Sequence, residues 1–371
     1  MGRIRAMIVV GARPQFIKSA PVIREILSGR NQIDLSVIHS GQHYDREMSE
    51  IFFRELRMPR ALLNLRAGSG SHAVQTARIM ERLEGPILEK KPDVLIVPGD
   101  TNTTLAASLT AAKLSIPVAH IEAGMRSGDM TMPEEINRKL TDHCSTLLFA
   151  PTRTAFQNLM SEGLKRGLHL TGDTMVDALR IVVPIIQQRE DMVLAAYGLQ
   201  PHQYVLVTLH RPSNVDPPAR LRRIQLALRK VGAKLPIIFL VHPRTRVRLA
   251  KLCSATQADR GLVLTSPKGY IETLCLLKSA GCLLTDSGGM QKESFMLHTP
   301  CVTLRSTTEW PETLRRKANQ LLIEPEMIPH TVLKTAFDKS LREAIRDLKN
   351  PFGDGHASSR IARIIQTLRE N

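Results

Sequence analysis

The chain has 371 residues, a length suited to two or three domains, and its 43% hydrophobic and 23% charged content is that of a globular protein without disordered tracts. No apolar run approaches the roughly 20 residues needed to cross a bilayer, so no membrane partner is expected, and the apolar stretch 6–10 is far shorter than a signal-peptide core. The net charge is +16, yet aromatics are only 4% and no helix-turn-helix, zinc-finger or RNA-binding signature is present, so nucleic acid is not an expected partner.

The positive charge is uneven. From Pro201 to Arg260 there are twelve Lys or Arg against two acids, Asp216 and Asp259. Such a field reads either as a solvated basic surface or as one that draws a phosphate-bearing ligand. The five cysteines, Cys144, Cys253, Cys275, Cys282 and Cys301, are odd in number and lack metal-ligand spacing. They suit reduced thiols in a cytoplasmic enzyme.

In chain order, the first strand is expected at 7–11 (MIVVG), followed by the turn "GARPQFIK". Arg13 sits in that turn and Lys18 opens a helix whose apolar residues Phe16, Ala20, Ile23 and Leu27 are spaced four, three and four apart. The turn lacks the G-x-G-x-x-G spacing of a dinucleotide fold. Two cations at a strand end suit phosphate, although such pairs are common on plain surfaces. Further strands are expected at 35–41, 94–100, 118–124, 147–152 and 168–173. Asp100 ends the third and Glu122 the fourth. Pro133 then precedes Glu134 and Glu135, which is also how an ordinary helix begins, since acids favour the first turn. Three carboxylates gathered at strand ends would repel one another and raise their pKa values, the condition for acid/base work near neutral pH.

In the second half, strands are expected at 205–210, 237–243, 262–267, 283–289, 301–306 and 321–325. Nearly continuous apolar strands alternating with helices predict two parallel, doubly wound sheets of six strands each. The division falls in the helical region 175–200, giving domains 1–185 and 186–350, with an amphipathic helix at 351–371 packing back on the fold. In such sheets ligands bind beyond the carboxyl ends of the strands. His210 with Arg211, and His242 with Arg244, end the first two strands and suit a diphosphate. "LTDSGGMQKES" ends the fourth. Gly288 and Gly289 let backbone approach an anion at a helix start, Ser287 adds a hydroxyl, and Glu293 suits the diol of a ribose. A glycine-rich turn with a surface glutamate is the plain alternative. Tyr270, in "SPKGYIE", is a candidate for holding a base.

Taken together, "GARPQFIK", "GQHYD", "PGDTNTTLA", "HIEAGMRS", "MPEEINR", "TLHRPSN", "TDSGGMQKE" and "TTEWPE" resemble, over nearly the whole chain, the non-hydrolysing UDP-N-acetylglucosamine 2-epimerase family. The resemblance implies the GT-B architecture, two Rossmann-like α/β domains facing an interdomain cleft, and a homodimer with a UDP-sugar as its ligand. It implies catalytic roles for Lys18, Asp100, Glu122, Glu134 and His210. It further implies that Arg13, Gln42, His43, Ser287, Gly288, Gly289 and Glu293 bind the substrate, and that neither metal nor cofactor takes part. The implied reaction is inversion at C2 by elimination of UDP to a glycal and re-addition, an isomerisation. A GT-B glycosyltransferase using a UDP-sugar donor is the alternative. Two departures narrow the resemblance. The family's commonest G-T-R-P-E reads Gly11-Ala12-Arg13-Pro14-Gln15, and its T-E-R-P-E reads Thr308-Glu309-Trp310-Pro311-Glu312. Both forms are similar to the branch acting on UDP-2,3-diacetamido-2,3-dideoxy-glucuronate, so the sugar is one of two.

Overall fold

The structure is a computed structural model and describes residues 2–42, 54–56, 58–59, 61–252 and 261–369. The described chain clusters into two compact units, one formed by 1–182 with 350–371 and the other by 183–349.

The first unit is built on a seven-stranded parallel sheet. Its strands are β1 (Ile4–Val10), β2 (Ile33–His39), β3 (Leu63–Asn64), β4 (Val94–Pro98), β5 (Val118–Ile121), β6 (Leu147–Ala150) and β7 (Leu168–Leu170), in the order β3-β2-β1-β4-β5-β6-β7. The central strands are apolar on both faces because helices cover both. Met7, Val9, Leu95 and Val97 pack on one side against Ile79, Leu83 and Ile87 of the helix His72–Lys90. Six strands were expected here. The seventh, β3, is a two-residue edge strand with both side chains exposed, too short to leave a periodic trace.

The helix Arg13–Leu27 buries Phe16, Ala20 and Ile23 as the spacing predicts. Leu27, however, is 53% exposed, and Ile26 takes the buried place at the helix end. The last helix, Ala357–Gln366, packs on this first helix and buries Ile361, Ala362 and Ile365. Its N-terminus is tied down by Asp177, which accepts from Ser358 N at 2.8 Å and Ala357 N at 3.2 Å.

The second unit carries six parallel strands, β8 (Val205–Thr208), β9 (Ile237–Leu240), β10 (Leu262–Thr265), β11 (Cys282–Thr285), β12 (Cys301–Thr303) and β13 (Asn319–Leu321). Their order is β10-β9-β8-β11-β12-β13. The last strand was expected at 321–325. It begins earlier because Asn319 is drawn into a buried polar network, bonding Thr303 at 2.7 Å and Gln291 at 3.0 Å.

Each sheet reverses its strand order once, between β1 and β4 in the first unit and between β8 and β11 in the second. Loops leave such neighbours in opposite directions, which opens a crevice at their carboxyl ends. No helix among the described residues is long and apolar enough to cross a membrane. Cys144, Cys275, Cys282 and Cys301 are free thiols, three of them buried.

Candidate active site

In the first unit the turn after β1 is drawn onto the end of β4 by Gln15, which is fully buried. Its Oε1 accepts from Gly11 N at 2.8 Å and Ala12 N at 3.1 Å, while its Nε2 donates to Pro98 O and Thr104 Oγ1, each at 3.0 Å. One turn on, Lys18 makes an ion pair with Glu122, and both side chains are at most one-tenth exposed. Glu122 has left-handed backbone (φ 73°), which a non-glycine residue holds only when its surroundings over-determine it. A Cβ on Gly99 would stand 3.1 Å from Lys18 Nζ, so the glycine makes room for the pair.

Asp100, next in the chain, is gripped by Arg138, whose Nη2 and Nε donate to Oδ2 at 2.6 and 3.0 Å. The same guanidinium donates to Glu135 Oε2 at 2.8 Å. Glu135 also accepts from Ser127 N (2.9 Å) and Gly128 N (3.1 Å) and is fully buried. Burial alone would raise its pKa. The hydrogen bonds from Ser127, Arg138 and Gly128 outweigh that and hold the carboxyl below its ordinary value. Glu134, by contrast, is half-buried and makes no hydrogen bond or ion pair among the described residues. The two glutamates that look alike in the sequence are therefore unlike in the fold: one braces a loop, the other keeps its carboxylate available.

Beneath this group His120 is fully buried, with Nδ1 2.7 Å from Asp142 and Nε2 2.8 Å from Gly99 O. Asp142 also accepts from Gly124 N and Arg126. Burial opposes its ionisation, but His120 and Arg126 prevail and lower its pKa. Gln42 accepts from Thr103 Oγ1 at 2.7 Å, at the start of the helix Asn102–Lys113. Arg13 is half-buried at the start of its helix, and His43 lies outside the described residues.

In the second unit the organiser is Asp286, fully buried at the end of β11. It accepts from the backbone N–H of His210 (3.1 Å) and Arg211 (3.0 Å), and from Asn214 Nδ2 (3.0 Å). His210 Nδ1 is 3.2 Å from its carboxylate. The ring is 41% exposed, so one edge faces Asp286 and the other is open to solvent. His242 is exposed and its ring lies 5.7 Å from that of His210, whereas Arg244 is drawn away to Asp216.

Ser287, Gly288 and Gly289 open the helix Gly288–Met296 and are half-buried. A Cβ on Gly288 would meet Glu309 Oε1 at 2.1 Å, so any side chain there has to displace the buried Glu309 carboxylate. A Cβ on Gly289 meets nothing within 4 Å. Glu293 lies on the same helix and is 4% exposed. Tyr270 opens the helix Tyr270–Lys278 and is wholly buried among its apolar residues, with no face presented to solvent. Among the described residues no cluster of three or more His, Cys, Asp or Glu is placed to hold a metal ion.

Sequence reasoning gave no role to Arg138, His120, Asp142 and Asp286, and read Gln15 only as a departure from the family's commonest motif. Asp286 had a signal, since it is a polar residue at a strand end beside the glycine cap. Arg138 had a weaker one, standing three and four residues beyond the paired glutamates. His120 and Asp142 are polar residues within a strand and a helix and carried none.

Two doubly wound parallel sheets, each with its polar residues gathered at the switch point, place the chain in the GT-B class of α/β enzymes. The sequence model of the UDP-N-acetylglucosamine 2-epimerase family matches residues 25–366. The chain is 43% identical to a UDP-N-acetylglucosamine 2-epimerase homolog of Methanococcus maripaludis, over 98% of this chain and all of that one. It is 40% identical to the UDP-2,3-diacetamido-2,3-dideoxy-D-glucuronate 2-epimerase of Pseudomonas aeruginosa, over 98% and 100% of the two chains. The crystal structure of Methanocaldococcus jannaschii UDP-GlcNAc 2-epimerase in complex with UDP-GlcNAc and UDP superposes with a TM-score of 0.89 at 42% identity, covering 98% of this chain and 99% of that one. This chain belongs to the UDP-N-acetylglucosamine 2-epimerase family, the isomerases expected from its motifs.

Proposed function

We propose that the chain inverts C2 of a UDP-sugar, either UDP-N-acetylglucosamine or its 2,3-diacetamido uronic acid relative, without net hydrolysis. The observation that carries the reading is the buried Lys18–Glu122 pair beside Asp100, at the carboxyl ends of β4 and β5. The pair sets a carboxylate and an ammonium side by side at a strand end, where one can exchange a proton with carbon and the other can stabilise a leaving oxygen.

The proton on C2 of an acetamido sugar is not acidic. Breaking the bond between C1 and the diphosphate oxygen gives C1 cationic character and sends the electron pair to UDP. The C2–H pair then closes the C1=C2 bond of a glycal as the proton passes to a carboxylate. Return of a proton to the opposite face, and attack of the UDP oxygen on C1, complete the inversion with atoms balanced. Two faces of C2 require more than one acid/base group, the work assigned to Asp100, Glu122 and Glu134. The departing diphosphate needs fixed positive charge and donors, the work of Arg13, Lys18, His210 and the Ser287-Gly288-Gly289 cap. Removing one preorganised donor of this kind costs roughly 3 kcal/mol of transition-state stabilisation. Glu293 is assigned to the ribose, and Gln42 and His43 to the sugar. A homodimer in the cytoplasm is the state we infer from the resemblance, and sedimentation equilibrium tests the dimer.

Incubation of the protein with each UDP-sugar in deuterated water tests the reaction. Deuterium appears at C2 of recovered substrate and product if the reading holds, and the sugar that exchanges names the substrate. A glycosyltransferase leaves C2 protonated with either donor, and that result overturns the proposal.

A further inference from the structure

Beneath the glycine cap of the second unit lies a cation that the reaction above does not use. Lys292 is fully buried, one turn into the helix Gly288–Met296, and its Nζ lies 3.7 Å from the centroid of the Trp310 ring. The same indole reaches the cap, since a Cβ on Gly288 would stand 3.4 Å from Trp310 Nε1. One side chain thus spans from the buried ammonium to the backbone that faces the anion. A buried lysine is rare unless something offsets its lost hydration. The π face of Trp310 supplies part of that.

The charge balance around the cap shows what Lys292 contributes. Asp286, Glu293, Glu309 and Glu312 are all buried in this part of the unit. Arg305 donates to Glu309 at 2.7 Å and Arg211 lies 3.8 Å from it. Four carboxylates against these two guanidinium groups leave an excess of negative charge beneath a cap meant for a diphosphate. Lys292 offsets part of that excess, and at low dielectric one such charge is felt across several ångströms.

Resting on the UDP-sugar reading, we propose that Lys292, held on the face of Trp310, is the buried cation that makes the glycine cap receptive to the phosphates of the nucleotide, without touching its nucleoside. Calorimetric titration with UDP and with uridine, on the full chain, tests this. Lys292→Met removes the charge at nearly constant volume, and UDP affinity falls about tenfold or more, a change of 1.4 kcal/mol per tenfold, while uridine affinity holds within about twofold. Lys292→Arg keeps a cation that stacks on the ring and retains most of the affinity for UDP. Unchanged UDP binding in K292M, equal losses for UDP and uridine, or a loss in K292R as large as in K292M each overturns the assignment. Should K292M not melt cooperatively, Trp310→Leu carries the test. It frees the ammonium from the ring, and a UDP loss that exceeds the uridine loss supports the assignment, whereas equal or absent losses overturn it. A wild-type chain that binds neither compound overturns the nucleotide-sugar reading itself and this assignment with it.

Discussion

Glu122 and Asp100 are carboxylates held by cations, and the way they are held decides what each substitution does. Glu122→Gln leaves Lys18 facing a neutral amide, and Asp100→Asn leaves Arg138 its bond to Glu135. Asp100→Asn stays near wild-type stability, whereas Glu122→Gln leaves the buried Lys18 without its anion and costs about 3 kcal/mol with the fold retained. C2 deuterium exchange falls about 10²–10⁴-fold, the usual worth of one acid/base group, while UDP affinity stays within about threefold. Exchange that survives both changes removes these residues from the proton transfers. The neighbouring glutamates separate in the opposite way. Glu134→Gln is expected to lower exchange and leave melting untouched, because Glu134 makes no bond among the described residues. Glu135→Gln strips Arg138 of a buried partner and destabilises by ~3 kcal/mol. The pH dependence follows the sign of the shift. The folded state holds the Glu135 carboxyl below its ordinary 4.5, so its contribution is complete above that value and is lost as pH falls toward the depressed one. Thermal melts of wild type and E135Q are therefore far apart at pH 7 and converge as pH drops below about 4.5.

At the scale of elements, the glycine cap illustrates two different reasons for the same residue. Gly288 is favoured by the protein itself, because the buried, Arg305-bonded Glu309 carboxylate stands where a side chain would go. Gly288→Ala is expected to lower stability by roughly 1–3 kcal/mol, as overpacking does. Gly289 is required by nothing in the chain, since its Cβ would enter open space. Gly289→Ala leaves the melting temperature unchanged, and if the cap holds a diphosphate, UDP affinity falls about tenfold or more, as expected when backbone approach to a phosphate is blocked. Calorimetry and melting curves on the two variants separate these cases. An equal loss of stability in both, with UDP binding retained, would remove the anion role from this helix start. Most of the elements were readable from apolar runs, because buried parallel strands leave a strong local signal. The edge strand β3 was not, since two exposed residues have no pattern to read. The shift of β13 to Asn319–Leu321 had no local sign either, as it depends on Gln291 and Thr303 contributed by other elements.

For the whole molecule, the last 22 residues, 350–371, belong to the first unit although the second lies between them in sequence. Phe352, Ile361 and Ile365 are fully buried there, each contributing roughly 2 kcal/mol by area removed from water. Phe352 O also accepts from Asp173 N at 2.8 Å. Deleting 350–371 is therefore expected to cost the first unit more than about 5 kcal/mol. The second unit should keep its own transition in differential scanning calorimetry. A truncated chain with an unaltered thermogram would show that the tail is dispensable.

The sequence by itself determined the alternation of strands and helices, the presence of two doubly wound sheets, and the set of motifs that identify the family. The first two follow from composition and spacing within a dozen residues, which the chain carries wherever it goes; the third rests on resemblance to a known family. Only the tertiary structure decided which charges meet: Lys18 with Glu122, Arg138 with Asp100, His210 with Asp286, and which of two adjacent glutamates is spent on a loop. Those partners stand between 3 and 104 residues apart. They are neighbours because β4 lies beside β1 and β11 beside β8, or because a helix turn carries one carboxylate inward and the next outward. Strand order and helix rotation are set by how the whole core packs, so no local reading contains them.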